Sequence, residues 1–271
     1  MLTLGNIVFS NCFPVHAGLL TGNVPFPFKL RDGIPTELNR LLSEGQVDVS
    51  PSSSIEYAMN PGCYRILPGF SITSRTRVMS ITFESNLPIS ELDKKTVALT
   101  TASATSNVLL RILLELINRV HPDYLQYSQG SEDPYTQADA VLTIGDLAIK
   151  RMTAPRLPYV YDLGELWHQV TGLPFVFALW QVNFREDQLE DLSILHRLLV
   201  DSKAYGISHL EELAVAGQSK FGLPAGTLLD YWRLFSYDFN EMEQRGLLTY
   251  YGYAAELGVI AAVPELQFVT I

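Results

Sequence analysis

Polar and apolar residues follow two different periods along this chain, one typical of strands and one typical of helices, and segments with the two periods alternate. Short stretches at 4–9, 78–84 and 140–144 are alternating or continuously apolar, which is typical of buried strands. Between such stretches the apolar residues recur three and four positions apart, as on one face of a helix, most clearly at Leu109, Ile112, Leu113, Leu116 and Val120. Strands that alternate with helices predict an α/β protein with parallel sheets covered by helices.

The segment 95–116 shows the repeated unit most clearly. Residues 95–99 predict a buried strand, and a helix is expected to begin near Ala104. Between them lie hydroxyl side chains, among them Ser103, Thr105 and Ser106. A helix start presents unpaired N–H groups and the positive end of the helix dipole, which suits a carboxylate or a phosphate. Serine and threonine also cap helices without binding anything, so both roles are open.

The same order of strand, small polar turn and helix recurs along the chain. Strands end at the turns 10–14, 51–54, 145–146 and 162–164, and each turn leads into a helical pattern. In sheets of this kind ligands bind at the carboxyl ends of the strands. We therefore expect these distant turns to meet at one site.

Two long apolar strands, 78–84 and 175–182, bracket a central segment that has strands and helices of its own. This predicts two lobes joined by two crossing strands, with residues 1–84 and 180–271 in lobe I and residues 85–179 in lobe II. Hinged lobes of this type close on a ligand. The alternative is a single domain in which both strands are ordinary core strands.

Composition narrows the possible functions. The chain has 271 residues, 47% hydrophobic content and a formal net charge of -10, with no run rich in Lys or Arg, so neither nucleic acid nor an anionic membrane is an expected partner. No apolar run approaches the roughly 18 residues of a membrane span. The absence of an export signal favours a cytoplasmic location. Cys12 and Cys63 are too few for a disulfide framework, and no metal-ligand spacing or phosphate loop occurs, so neither metal nor cofactor is expected.

Eight short motifs occur in a fixed order, at 10–14, 52–57, 78–80, 101–106, 144–148, 161–167, 171–180 and 231–240. Together they resemble the chorismate dehydratases of menaquinone biosynthesis, the first enzymes of the futalosine route. The resemblance implies a two-lobed, periplasmic-binding-protein-like (type II) fold with a hinge of two crossing strands. It also implies conversion of chorismate to 3-[(1-carboxyvinyl)oxy]benzoate and water, without a cofactor.

The resemblance implies that Asn11 matters for catalysis. Chorismate carries two carboxylates, so two anion sites are needed. Ser103, Thr105 and Ser106 are expected at the ring carboxylate. The candidates for the enolpyruvyl carboxylate are Ser80 and the serine run Ser52, Ser53 and Ser54. The remaining candidate substrate-binding residues are Gly145 and Asp146, which follow strand 140–144. For each of these residues a structural role is the alternative, such as a cap for Asp146 or a turn for Asn11.

None of the five histidines stands where a general base is expected; they are His16, His121, His168, His196 and His209. We therefore expect the enolpyruvyl carboxylate of the substrate to take the ring proton. The related dihydroxynaphthoate synthases would have a His-Glu pair at 145–146, which this chain lacks. It also lacks the arginine often found at position 104 of dehydratases. The alternatives are such a synthase, a lyase for another cyclic carboxylate, or a ligand-binding module without catalysis.

Overall fold

The computed structural model describes all residues, 1–271, as eleven strands and ten helices. The strands are β1 Thr3–Ile7, β2 Lys29–Gly33, β3 Val49–Ser53, β4 Arg65–Ser74, β5 Ile81–Ser85, β6 Thr96–Thr100, β7 Asp123–Tyr127, β8 Ala140–Ile144, β9 Tyr159–Asp162, β10 Phe175–Val182 and β11 Phe235–Ser236. The helices are α1 Phe13–Leu20, α2 Pro35–Ser43, α3 Ser54–Met59, α4 Ala104–Arg111, α5 Gly145–Thr153, α6 Leu163–Thr171, α7 Leu189–Ser208, α8 Leu210–Phe221, α9 Ala225–Arg233 and α10 Glu241–Glu256.

The strands form two separate sheets. The first has the order β11-β4-β10-β3-β1-β2, and the second has the order β7-β6-β8-β5-β9. In the first sheet β1 pairs in parallel with β2 and β3, whereas β10 is antiparallel to both β3 and β4. In the second sheet β6 pairs in parallel with β7 and β8, whereas β5 is antiparallel to β8 and β9. Each sheet therefore has one edge at which several strands have their carboxyl ends.

The chain passes between the two sheets just before the antiparallel strands β5 and β10. β5 follows β4 of the first sheet but belongs to the second, and β10 follows helix α6 but belongs to the first. The chain thus changes sheets within residues 75–80 and again within residues 172–174. β5, of five residues, and β10, of eight, bracket the central segment, and the chain changes sheets before each of them.

Two stretches form strand where the sequence pattern did not indicate it. The sequence pattern does not indicate β4 because Pro68 and Gly69 interrupt the run of strand-forming residues. In the structure, β4 accommodates these two residues through a register shift in its pairing with β10, between Leu179 and Gln181. β3 continues through Pro51, which pairs with Trp180, up to Ser53. The serine run is therefore mostly strand and only at its end a helix start.

One continuous cluster of 69 buried apolar residues runs through both lobes. Two of its tryptophans also make hydrogen bonds next to chain turns. The indole N–H of Trp232 donates to the Ser10 carbonyl (2.8 Å), and that of Trp167 donates to the Pro174 carbonyl (3.2 Å). None of the ten helices combines the length and the hydropathy that a bilayer span requires.

A buried histidine makes part of lobe I sensitive to acid. His16 is fully buried, and its Nδ1 lies 2.8 Å from Oδ1 of Asn6, whose Nδ2 donates to Asp32 Oδ1 (2.7 Å). Because Asn6 Oδ1 only accepts, the proton of the neutral ring lies on Nδ1. Burial lowers the pKa of His16 from 6.5 to about 3, against a smaller opposing effect of the Asp32 charge. His16 is therefore neutral in the folded protein at physiological pH.

We expect His16→Gln to reduce the loss of stability in acid. Below pH 6.5 the unfolded chain binds a proton at His16, whereas the folded protein does not until about pH 3, so the free energy of unfolding falls across this range. The loss amounts to at most about 5 kcal/mol. Denaturant unfolding between these pH values measures it, with the exposed His121→Gln as the control. Parallel pH curves for the wild type and His16→Gln would contradict the assignment.

Candidate functional site

The carboxyl edges of the two sheets meet at a partly open pocket with about 490 Å³ of empty space, which includes space open to solvent. Its apolar lining comes from both lobes and includes the rings of Phe9, Phe177 and Phe235. Its polar lining consists of amide and hydroxyl side chains, those of Asn11, Ser53, Ser80, Ser103 and Ser106. No charged side chain and no histidine lines the pocket. Any charge on a ligand bound here would have to be stabilised by uncharged hydrogen-bond donors and backbone dipoles.

Six of the ten residues expected at the site line this one pocket. Lobe I contributes Asn11, which follows β1, and Ser53 at the end of β3. The connection between the lobes contributes Ser80, and lobe II contributes Ser103, Ser106 and Gly145. The expectation that distant strand-to-helix turns meet therefore agrees with where these residues lie.

Ser103 and Ser106 form the pocket wall at the start of α4. Ser103 caps the helix, because its hydroxyl accepts from the Ser106 N–H (3.3 Å), and the two hydroxyls lie 2.9 Å apart. The first turn of a helix contains further N–H groups without intrahelical partners. Capping and ligand binding are thus compatible here, because the capped turn faces the pocket.

Ser80 lies in the turn before β5 and not within the strand. Its side chain and those of Val78 and Ile81 line the pocket, whereas the hydroxyl of Thr82 points to the Ala148 carbonyl (3.4 Å). The strand expected at 78–84 begins only at Ile81, so Val78, Ser80 and Thr82 do not share one face of it. The buried Tyr231 lies near Ser80, and its pKa lies well above its usual range, chiefly because of burial.

Asn11 lies in the short helical turn Ser10–Cys12 between β1 and α1. Its Oδ1 is buried and has no hydrogen-bond partner within the protein, although the residue lines the pocket. A buried amide oxygen without a partner is uncommon, because the lost solvation is not replaced. The Asn11 side chain is thus available to a ligand.

Ser52 does not line the pocket. It lies on β3 next to Ser53, and successive side chains of a strand point to opposite faces, so only one of the two can face the site. Ser52 is buried on the other side with its hydroxyl unpartnered. The expected run of three binding serines thus reduces to Ser53.

Ser54 and Thr105 lie between the lobes and not at the pocket. The backbone N–H of Ile55 at the start of α3 donates to Thr105 Oγ1 in α4 (3.2 Å), and the hydroxyls of Ser54 and Thr105 lie 3.4 Å apart. Two α10 tyrosines hold the same pair, because Tyr250 donates to the Thr105 carbonyl (3.2 Å) and Tyr251 to the Ser54 carbonyl (2.6 Å). These hydroxyls join the lobes, which explains their burial without contact to the pocket.

Asp146 makes the second polar contact between the lobes. The backbone N–H and the hydroxyl of Ser10 both donate to its carboxylate, with N···O distances of 3.3 and 3.4 Å for the backbone group. This contact fixes the turn that contains Asn11 from the opposite lobe. Asp146 therefore holds the lobes together and is absent from the pocket wall, where its charge would repel an anion.

Gly145 allows this close approach. Its φ of +69° lies in the left-handed region, and a Cβ atom there would lie 3.2 Å from the ring of Phe9 in lobe I. Its N–H donates to the Ser80 carbonyl (2.8 Å), which ties the start of α5 to the connection between the lobes.

Sequence reasoning missed the aromatic lining of the pocket. Phe9 follows β1, Phe177 belongs to the apolar strand β10, and Phe235 belongs to an aromatic-rich tract. Apolar periodicity cannot distinguish a ring that fills the core from one that lines a pocket. Only the position of Phe9, directly after the first strand, was a local signal.

Comparison with known proteins places this geometry in a family. A family model described as menaquinone biosynthesis matches residues 2–256. A chorismate dehydratase of Thermus thermophilus is 34% identical over 260 residues, covering 90% of this chain and 92% of the relative. A chorismate dehydratase of Campylobacter jejuni is 30% identical over 181 residues, covering 65% of this chain and 66% of the relative.

Solved structures confirm the expected periplasmic-binding-protein-like fold. A crystal structure of an Archaeoglobus fulgidus protein matches with a TM-score of 0.78 and 20% identity, covering 96% of this chain and 98% of that one. The periplasmic aliphatic sulphonate binding protein SsuA of Escherichia coli matches with a TM-score of 0.66 and 16% identity, covering 98% and 94%. At these identities the likeness concerns the fold alone.

The burial of Asp146 between the lobes predicts a pH-dependent effect of Asp146→Asn. Burial raises the pKa of Asp146 above 3.8, with the Ser10 hydrogen bonds opposing the shift. A carboxyl group with a raised folded pKa loses its contribution to stability as the pH rises through that value. The stability of Asp146→Asn relative to the wild type should therefore improve as the pH rises from below 3.8 to neutrality, as measured by melting temperatures.

Asp133→Asn provides a control of opposite sign. A backbone hydrogen bond from Tyr135 and the ion pair with Arg156 lower the pKa of the exposed Asp133, so its variant should lose relative stability over the same pH rise. A difference in stability between Asp146→Asn and the wild type that does not change with pH would contradict the raised pKa of Asp146.

Proposed function

This chain belongs to the menaquinone-biosynthesis family, and we propose that it is a chorismate dehydratase, a carbon-oxygen lyase that converts chorismate to 3-[(1-carboxyvinyl)oxy]benzoate and water. The substrate comes from the named relatives in Thermus thermophilus and Campylobacter jejuni. The structural observation that carries the proposal is the pocket between the lobes, which Asn11, Ser80 and Ser103 line and no charged side chain lines.

The reaction removes a proton from C3 of the ring and hydroxide from C4, and the new double bond makes the ring aromatic. Aromatisation supplies the driving force, so the kinetic problem is the acidity of the C3–H bond. A negative charge that develops at C3 spreads through the C1–C2 double bond to the ring carboxylate. A site that binds this carboxylate more strongly as its charge grows lowers the barrier.

The start of α4 suits the ring carboxylate. Ser103, Ser106 and the first-turn N–H groups present donors, and the dipole of the helix points its positive end at them. The second carboxylate, that of the enolpyruvyl group, could be bound by Ser53 of lobe I and by Ser80 in the connection between the lobes. Because these groups are fixed by the fold, they need little reorganisation during the reaction.

The residues that line the pocket favour a mechanism in which a group of the substrate itself takes the C3 proton. The lining contains no histidine, lysine or carboxylate that could take the C3 proton, and an amide such as that of Asn11 is too weak a base. The enolpyruvyl carboxylate is attached through the ether oxygen on C3 and can reach the adjacent hydrogen. The role of the protein is then to hold that carboxylate in place, an orientation effect worth several kcal/mol.

Incubation of the purified protein with chorismate tests the proposal. We expect chorismate to disappear with stoichiometric formation of 3-[(1-carboxyvinyl)oxy]benzoate, detected by ultraviolet absorbance and by mass spectrometry as the loss of one water. A ligand-binding module would change its melting temperature with chorismate but leave the spectrum of chorismate unaltered. That result would refute the enzymatic proposal.

Asn11→Ala should lower kcat by about 10²-fold, comparable to the effect of removing one preorganised hydrogen-bonding group from a reacting oxygen. The available amide is suited to the leaving C4 hydroxyl. Asn11→Asp should be at least as impaired, because a carboxylate in the pocket would repel both substrate charges. Steady-state kinetics measure the effects, with the exposed Asn86→Ala as the control. Undiminished turnover in Asn11→Ala would exclude this role.

A further inference from the structure

The connection from lobe I to lobe II contains a strained turn at the edge of the pocket. The Ser80 N–H donates to the Val78 carbonyl (2.7 Å), two residues back, and Met79 between them has a φ of +60°. This combination is a γ-turn of the rare positive-φ type, which is unfavourable for a residue with a side chain. Val78 and Ser80, on both sides of Met79, line the pocket.

One buried carboxylate holds this turn. Asp162 is 4% exposed and accepts from the N–H groups of Val78 (3.0 Å) and Met79 (2.6 Å). It also accepts from the Glu165 N–H (3.1 Å), which caps α6. No lysine, arginine or histidine forms an ion pair with this carboxylate, so its charge rests on three backbone donors.

The surroundings leave the turn little freedom. Gly164 packs so closely against the connection that a Cβ atom would lie 2.9 Å from Ser74 Oγ and 3.1 Å from the Val78 nitrogen. The hydroxyl of Ser74, the last residue of β4, donates to the Arg77 carbonyl (2.9 Å). At the other end the Ser80 carbonyl accepts from Gly145. Contacts with Gly164, Ser74 and Gly145 thus fix the connection, and Asp162 binds the backbone at its strained residue, Met79.

We propose that Asp162 is a positioning residue for substrate binding, which acts by holding the strained Val78–Ser80 turn so that Ser80 points into the pocket. This inference rests on the proposed function, since the carboxylate that Ser80 would meet belongs to chorismate. Asp162 does not line the pocket, so it acts only through the turn. Capping of α6 involves only one of the three N–H groups that donate to Asp162, that of Glu165.

Two variants of Asp162 distinguish its contact with the Val78–Ser80 turn from its role as the cap of α6. Asp162→Asn keeps the size of the side chain but replaces one acceptor oxygen with an N–H₂ group that faces backbone donors. Asp162→Ser retains an oxygen that can cap α6, because serine is a favourable N-cap, but is too short to reach Val78 and Met79. We expect both to raise KM for chorismate by at least about tenfold, the effect of losing hydrogen bonds to a buried charge, with a smaller change in kcat.

Relief of the strain should rescue the defect. Glycine adopts positive φ without cost, so Met79→Gly combined with Asp162→Ser should recover part of the lost KM. Asp133→Asn is the matched control, because Asp133 also caps a helical turn through the Tyr135 N–H but lies outside this pocket, and its KM should equal that of the wild type. A cap with only a structural role would give no rescue by Met79→Gly.

Hydrogen exchange of the peptide that contains residues 78–80 provides a readout independent of activity. We expect faster exchange at these amides in Asp162→Ser than in the wild type, with exchange in β1 and β3 unchanged. If the wild type fails to convert chorismate, the proposed function fails while the exchange result still tests the turn. The inference is overturned if a folded Asp162→Ser protein keeps a KM within twofold of the wild type, or if exchange at 78–80 is unaltered.

Discussion

Contact between the two lobes is the constraint on which the rest of the structure depends. Polar contacts join the lobes outside the pocket, chiefly at Ser10 with Asp146 and around Thr105, which contacts Ile55, Ser54 and Tyr250. Between these contacts the strand ends of both sheets face each other, and the aromatic and serine side chains line one pocket. Without these contacts the donors at Ser103 and at Asn11 would belong to separate surfaces and could not act on one ligand.

Charge sets the second constraint. The protein carries a formal net charge of -10, which repels a doubly negative substrate at long range, and the pocket contains no cation. Binding must then come from short-range donors: hydroxyls, amide groups and the start of α4. Such donors are weaker than arginine in the ground state but can be aimed at the atoms where charge develops during the reaction. This arrangement favours catalysis over tight ground-state binding.

The sequence predicted the class of fold and the convergence of distant turns, because periodicity and small polar turns are local signals. It could not separate Ser53 from Ser52, since that depends on how far β3 extends past Pro51. It also could not tell that Thr105 joins the lobes while its neighbour Ser106 lines the pocket, because that distinction depends on the packing of α3 against α4. Positive φ at Met79 left no signal in the residue type. Long-range packing decided each of these cases.

A crystal structure with the product 3-[(1-carboxyvinyl)oxy]benzoate bound tests the central claim most directly. The account predicts that both carboxylates lie between the lobes, one at the hydroxyls of Ser103 and Ser106 and the other at Ser53 or Ser80. It also predicts that no lysine or arginine nitrogen lies within about 4 Å of either carboxylate, the limit for an ion pair. A product bound outside this pocket, or one held by an arginine that moves in, would contradict the account.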